Sequence, residues 1–144
     1  MCCIPKKIII ADDHPLFRQA LLIALNAEFS STTWIEAETA DMTLDSVQTE
    51  SDAELLLLDL NIPGANGFDL LIRAKKQEPD MPVVVISAYS DDAIISKAMQ
   101  YGAAGFVPKS ASVPTMLEAI KLVLSGKQWW PADFNQSGKD TQQI

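Results

Sequence analysis

Five side chains in this 144-residue chain have the types and positions needed for phosphoryl chemistry: Asp12, Asp13, Asp59, Ser87 and Lys109. Each stands at the end of a short apolar run. Ile8, Ile9, Ile10 and Ala11 precede the acidic pair, a run of leucines precedes Asp59, Val83 to Ile86 precede Ser87, and Phe106 and Val107 come just before Lys109. Crowded carboxylates repel one another, so three unpaired acids on a shared rim require a cation. Mg²⁺ takes octahedral oxygen ligands, keeps several waters and accepts one or two carboxylates beside phosphate oxygens. That matches Asp13 and Asp59 as direct ligands, with Asp12 held through water. A carboxylate can also act as a nucleophile and form an aspartyl phosphate. Lys109 and the cation would then neutralise the phosphoryl oxygens in the transition state, with Ser87 donating a hydrogen bond to one of them. Taken singly, Asp and Ser at such places are ordinary turn and helix-cap residues. Together, strand ends bearing complementary charges point to one site.

These side chains can meet only if the apolar runs are strands of a single sheet. Short apolar runs alternate with longer amphipathic stretches, the pattern of βα units around a parallel sheet buried on both faces. The pattern predicts strands over 7–11, 33–37, 54–60, 82–88 and 105–109. Helices are predicted after Pro15, over 41–49, from the turn at 61–67 to about Gln77, over 91–101 and over 112–125, with Gly102 and Gly126 as stops. The fold class is therefore α/β, a three-layer doubly wound sheet of five parallel strands. Pro108 lacks an N–H for the ladder, which places the last strand at the sheet's edge. In such a sheet, ligands bind beyond the carboxyl ends of the strands, where the five side chains stand.

Composition narrows the function further. A formal charge of -8, from 19 acidic and 11 basic residues, is opposite to what a domain gripping nucleic acid needs, so this stretch should not bind DNA. Cys2 and Cys3 are adjacent, which suits neither a fold-stapling disulfide nor a zinc site. The apolar runs fall far short of the ~18 residues of a membrane helix, and the first residues lack a signal-peptide core. A cytoplasmic protein with no membrane partner is expected. Residues 1–128 are expected to form one domain, and 129–144, polar from Gln136 onward, to begin an interdomain linker or tail.

Four segments together resemble the response-regulator receiver family of two-component systems, over about residues 6–128. They are Ile9-Ile-Ala-Asp-Asp-His-Pro-Leu-Phe-Arg18, Leu56-Leu-Leu-Asp-Leu-Asn-Ile-Pro-Gly64, Val84-Val-Ile-Ser-Ala88 and Gly102-Ala-Ala-Gly-Phe-Val-Pro-Lys-Ser110. The first and last are most similar to receivers that precede a LuxR-type (NarL-like) helix-turn-helix domain. The resemblance implies strand order 2-1-3-4-5. It implies Asp59 as phosphoacceptor, Asp12 and Asp13 as the metal-binding pair, and the Asn61 backbone carbonyl as a further Mg²⁺ ligand. Ser87 is implied as the signalling hydroxyl and Phe106 as an aromatic switch that swings inward on activation. It also implies a sensor histidine kinase as partner, a homodimer on phosphorylation, and DNA contact only through a helix-turn-helix domain that this chain lacks. The chain is thus expected to be a receiver cut from a longer transcription regulator. Many receivers place proline after the lysine in a cis peptide; here Ser110 follows and Pro108 precedes, so no cis bond is assumed. Phe106 also lacks the phenol hydroxyl of a tyrosine.

Rival readings fit less well. Aspartyl-phosphate phosphatases of the haloacid dehalogenase type need a second aspartate two residues after the nucleophile, and Asn61 stands there. A nucleotide-binding Rossmann or P-loop domain needs a glycine-rich turn after the first strand, where Asp12-Asp-His-Pro15 stands instead. A pseudo-receiver acting only as an interaction module would not need the full set of acid, hydroxyl and lysine that is present. His14, before Pro15 at a helix start, reads as a cap or rim residue without a catalytic role. Trp129 and Trp130 read as cover for the end of the last helix, and Tyr89 and Asn61 as neighbours of the reaction centre.

Overall fold

The computed structural model describes residues 6–64 and 68–131. Five parallel strands, β1 (Lys7–Ala11), β2 (Thr33–Ala37), β3 (Leu55–Asp59), β4 (Val83–Ser87) and β5 (Gly105–Pro108), form one sheet in the order β2-β1-β3-β4-β5. They alternate with α1 (Pro15–Glu28), α2 (Ala40–Thr49), α3 (Asp69–Gln77), α4 (Asp92–Gln100) and α5 (Val113–Leu124). Every residue of β3 and β4 is buried, as expected of central strands covered on both faces. The edge strand β2 buries only Ala37 fully.

Side chains along a strand alternate between the two faces of the sheet, and this alternation splits the apolar residues into two cores. Ile9, Leu56, Leu58, Val83, Val85 and Phe106 meet α2, α3 and α4 through Val47, Leu71 and Ile95. Ile8, Ile10, Leu55, Leu57, Val84 and Val107 meet α1 and α5 through Leu21, Leu25, Met116 and Ile120. Three layers result, with the polar ends of the strands left at one rim.

Three helices, α2, α4 and α5, begin where short polar side chains satisfy free N–H groups. The Thr39, Asp91 and Ser112 side chains accept from the amides of Met42, Ile94 and Thr115. Gly102 and Gly126 end α4 and α5 with φ of 99° and 94°, a backbone region costly for other residues. Element bounds differ from the sequence expectation by a residue or two. Lys109, for instance, follows β5 rather than ending it, although the Lys109 amide still donates to the Ser87 carbonyl at 2.9 Å. No cis peptide occurs among the described residues.

β5 lies at the edge, as Pro108 implied, and its outer side is partly covered. The Trp129 amide donates to the Ala104 carbonyl at 3.1 Å, and the Trp129 carbonyl accepts from the Phe106 amide at 3.3 Å. The Trp129 side chain packs on the α1/α5 core and Trp130 on the opposite one, so the pair grips both faces of the sheet rather than only the end of α5. The turn expected at 61–67 is described as far as Gly64. Its last three positions lie outside the described residues, as do Cys2, Cys3 and the linker expected from Gln136. No helix among the described residues is long and apolar enough to cross a membrane.

Candidate functional site

β1 and β3 are hydrogen-bonded neighbours, so the residues that follow them are brought side by side at the sheet's rim. Asp12 and Asp59 are buried to 2% and 1% exposure, which makes their charges expensive unless they are partnered. Local turns supply part of that partnership: Asp12 Oδ1 accepts the His14 amide at 2.6 Å, and Asp59 Oδ1 accepts the Asn61 amide at 3.0 Å. Lys109 supplies the rest. Its Nζ lies 3.0 Å from Asp59 Oδ2 and 3.3 Å from Asp12 Oδ2, and 4.7 Å above the Phe17 ring. The stacked ring covers the ammonium and favours its charge.

A further side chain organises the rim from below. Arg18 is buried on α1, and its Nη1 donates to the Asp12 backbone carbonyl. Its Nε and Nη2 bond Glu36 and Glu38 at 2.8 and 2.9 Å. One guanidinium thus ties α1 to β2 and to the acidic loop, using the fork geometry that lysine lacks.

Ser87, also buried, ends β4. Its Oγ accepts the Tyr89 amide at 3.0 Å, which leaves the hydroxyl proton to be donated elsewhere. A cleft of about 520 Å³ opens over the rim, lined by Asp13, Asn61, Lys109, Tyr89, Phe17 and Leu16 among others. The expected residues Asp12, Asp13, Asp59, Asn61 and Lys109 are therefore together, and Ser87 stands at the end of the next strand.

Phe106, expected as the aromatic switch, is fully buried with its ring in the α2/α3/α4 core, because its position in β5 faces that core. His14 was read as a cap or rim residue. It occupies the N-cap position of α1, yet its side chain makes no capping bond. The ring turns toward the acids instead, with Nδ1 3.3 Å from Asp12 Oδ1, 3.3 Å from Asp13 Oδ1 and 3.4 Å from Asp59 Oδ2. Arg18 was not anticipated at all.

The donor set fits a divalent cation. Asp12, Asp13, His14 and Asp59 each offer a ligand atom, and these atoms lie within 4.8 Å of one another. Asp12 Oδ2 and Asp13 Oδ1 are buried yet accept no hydrogen bond. Buried polar atoms are almost always hydrogen-bonded, and the Lys109 ammonium 3.3 Å from Asp12 Oδ2 offsets its charge without bonding it, so both oxygens have capacity for a cation.

The chain matches the family described as response regulator receiver domain over residues 8–121. Among curated proteins it is 38% identical over 135 residues to the glycerol metabolism activator of Pseudomonas putida, covering 94% of this chain and 61% of that protein. It is 33% identical over 118 residues to the probable transcriptional regulatory protein NarL of Mycobacterium tuberculosis, covering 82% of this chain and 53% of that protein. The chain thus spans little more than half the length of these relatives. A solved LuxR family DNA-binding response regulator from Silicibacter pomeroyi superposes with a TM-score of 0.79 at 31% identity, covering 90% of this chain and 99% of that one.

Proposed function

Because the chain belongs to the response regulator receiver family, we propose that it accepts a phosphoryl group on Asp59 from a phosphohistidine of a sensor histidine kinase. The observation that carries this is the state of Asp59: buried to 1% exposure, with one oxygen held by the Asn61 amide and the other facing the Lys109 ammonium beneath an open cleft. A carboxylate so held is oriented for in-line attack.

An Asp59 carboxylate oxygen forms the new P–O bond as the P–N bond to the donor imidazole breaks, and the leaving nitrogen takes its proton from solvent. Lys109 stays beside Asp59 and meets the charge on the phosphoryl oxygens, while Ser87 donates its proton to one of them. Asp13, Asp59 and the Asn61 carbonyl would hold Mg²⁺, with Asp12 through water, and the cation would supply further charge neutralisation there. Leu16, 83% exposed at the mouth of the cleft, offers an apolar contact to the donor protein. Later hydrolysis of the aspartyl phosphate returns Asp59 and inorganic phosphate; no turnover of an external substrate is involved.

The phosphoryl group adds charge and strong acceptors. Drawing Ser87 toward it loosens the Tyr89 contact and repacks β4 against β5, where Val85 is registered with Phe106. The α4-β5-α5 face then shifts between two populations and pairs with a second copy of the chain. Residues 1–128 act as the receiver and 129–144 begin the connection to a LuxR-type DNA-binding domain, in keeping with the relatives' greater length. The site of action is the cytoplasm, where such a kinase donates.

The test is phosphorylation by a small phosphodonor with Mg²⁺, followed by intact mass. One added phosphoryl group in wild type and none in Asp59→Asn is expected. A pseudo-receiver would take none in either, and equal labelling of both would remove Asp59 from its role.

A further inference from the structure

Beyond the acids and the lysine, one more donor reaches the same space. Lys109 Nζ lies 2.9 Å from His14 Nδ1. An ammonium has only protons to give, so Nδ1 accepts, and the ring presents a lone pair inward. That lone pair stands 3.3–3.4 Å from an oxygen of each of the three carboxylates, and the single positive charge of Lys109 offsets only part of their mutual repulsion. Three carboxylates and one ammonium leave the bowl at -3 + 1 = -2, the charge a divalent ion cancels. Asp13 Oδ1 is buried and accepts no hydrogen bond, and Asp12 Oδ2, on a residue 2% exposed, has the Lys109 ammonium at 3.3 Å but no hydrogen bond.

We propose that His14 Nδ1 is a direct ligand of the divalent cation in this bowl, giving the site a nitrogen donor and a higher relative affinity for transition-metal dications, of which Mn²⁺ is the spectroscopic probe, than an all-oxygen site would have. This rests on reading the bowl as a cation site, and it goes further in naming the ligand and the metal class. In an octahedron with bonds of about 2.1 Å, adjacent ligands stand about 3.0 Å apart. Nδ1 lies 3.3 Å from Asp13 Oδ1 and 3.4 Å from Asp59 Oδ2, each slightly longer than such an edge, so a small contraction brings these three donors onto one face, with Asp12 still held through water. Imidazole suits transition-type ions, whereas Mg²⁺ is best served by oxygen alone. The His14 side chain is 56% exposed, which leaves the ring free to adjust without disturbing either core. Once Nδ1 is committed to the cation, it no longer accepts from Lys109, and that ammonium is released for an incoming phosphoryl oxygen.

The test uses the full chain loaded with Mn²⁺ and read by electron spin-echo envelope modulation. Wild type is expected to show ¹⁴N modulation from a coordinated imidazole, and His14→Ala to lose it while still binding Mn²⁺ through the oxygens. Mn²⁺ affinity is expected to fall by about 10-fold or more in His14→Ala, and Mg²⁺ affinity by a smaller factor. Bound Mn²⁺ without ¹⁴N modulation in wild type, with unchanged affinity in His14→Ala, overturns the proposal and leaves an all-oxygen site standing. Mn²⁺ binding that survives Asp13→Ala undiminished, or is absent from wild type, overturns the cation reading of the bowl as well.

Discussion

Lys109 Nζ lies 3.0 Å from Asp59 Oδ2 although the residues are 50 positions apart and stand at the ends of strands that are not neighbours. β4 stands between β3 and β5, and the pair meets because the ladders set Asp59 beside Ile86 and Ser87 beside Pro108. The long lysine side chain then spans the width of β4 at the rim. A register slip of one residue would turn the acid or the lysine to the other face of the sheet.

Lys109→Met is expected to slow phosphoryl uptake from a small donor by roughly 10²-fold, the usual effect of losing one stabiliser of transition-state charge. Stopped-flow kinetics at saturating Mg²⁺ checks this, and an unchanged rate would take Lys109 out of the reaction.

Arg18→Met removes the donor to the Asp12 carbonyl and leaves that buried acceptor unpaired, at a loss of about 1–3 kcal/mol of stability. The acidic loop also loses its support, so Mg²⁺ affinity should fall. Urea unfolding and a Mg²⁺ titration read the two effects separately; stability loss without any change in Mg²⁺ affinity would make Arg18 structural only.

Gly105→Ala would bring a Cβ to 3.0 Å from the Trp129 carbonyl oxygen, which belongs to backbone and yields with difficulty. Overpacking of this kind costs about 1–3 kcal/mol. The Trp129 bridge should open while the sheet persists, giving a red-shifted tryptophan emission. An unshifted spectrum would show that the bridge tolerates the methyl.

Asp52 is held below the ordinary carboxylate value of 3.8 chiefly by its hydrogen bond from Lys7, and Lys7 above 10.5 chiefly by Glu50, then Asp52. Because the Asp52 value is lowered in the folded state, its contribution is complete above the unfolded value and is lost as pH falls through the folded one. For Lys7, raised on folding, the contribution is complete below 10.5 and is lost as pH rises through the higher folded value. The pair lies at the surface, with Asp52 exposed and Lys7 half-buried, so the effects are small. Lys7→Met should return Asp52 toward its ordinary titration, as followed by carboxyl NMR shifts; an Asp52 curve that does not move would contradict the pairing.

The strands and their order of chemistry were legible because buried parallel strands are nearly continuous apolar runs, and a polar residue ending such a run stands out. Asp59 after its leucines and Ser87 after Val83 to Ile86 are cases in point. The edge position of β5 followed from one missing N–H at Pro108. What was not legible depends on side-chain direction. His14 sits where a cap would, and only the closeness of three acids and Lys109 turns its ring inward. Arg18 falls on a helix face that local pattern alone assigns to neither core nor solvent, and its partners lie about 20 residues away on another element. Phe106 announced its type, but its complete burial depends on which face of β5 it occupies.

The most direct measurement is to locate the phosphoryl group itself. Wild-type protein would be treated with phosphodonor and Mg²⁺, reduced with borohydride to convert the acyl phosphate to a stable alcohol, digested and sequenced by mass spectrometry. Conversion at Asp59 alone is the predicted result; a reduced residue at Asp12 or Asp13, or none anywhere despite bound cation, would contradict the account.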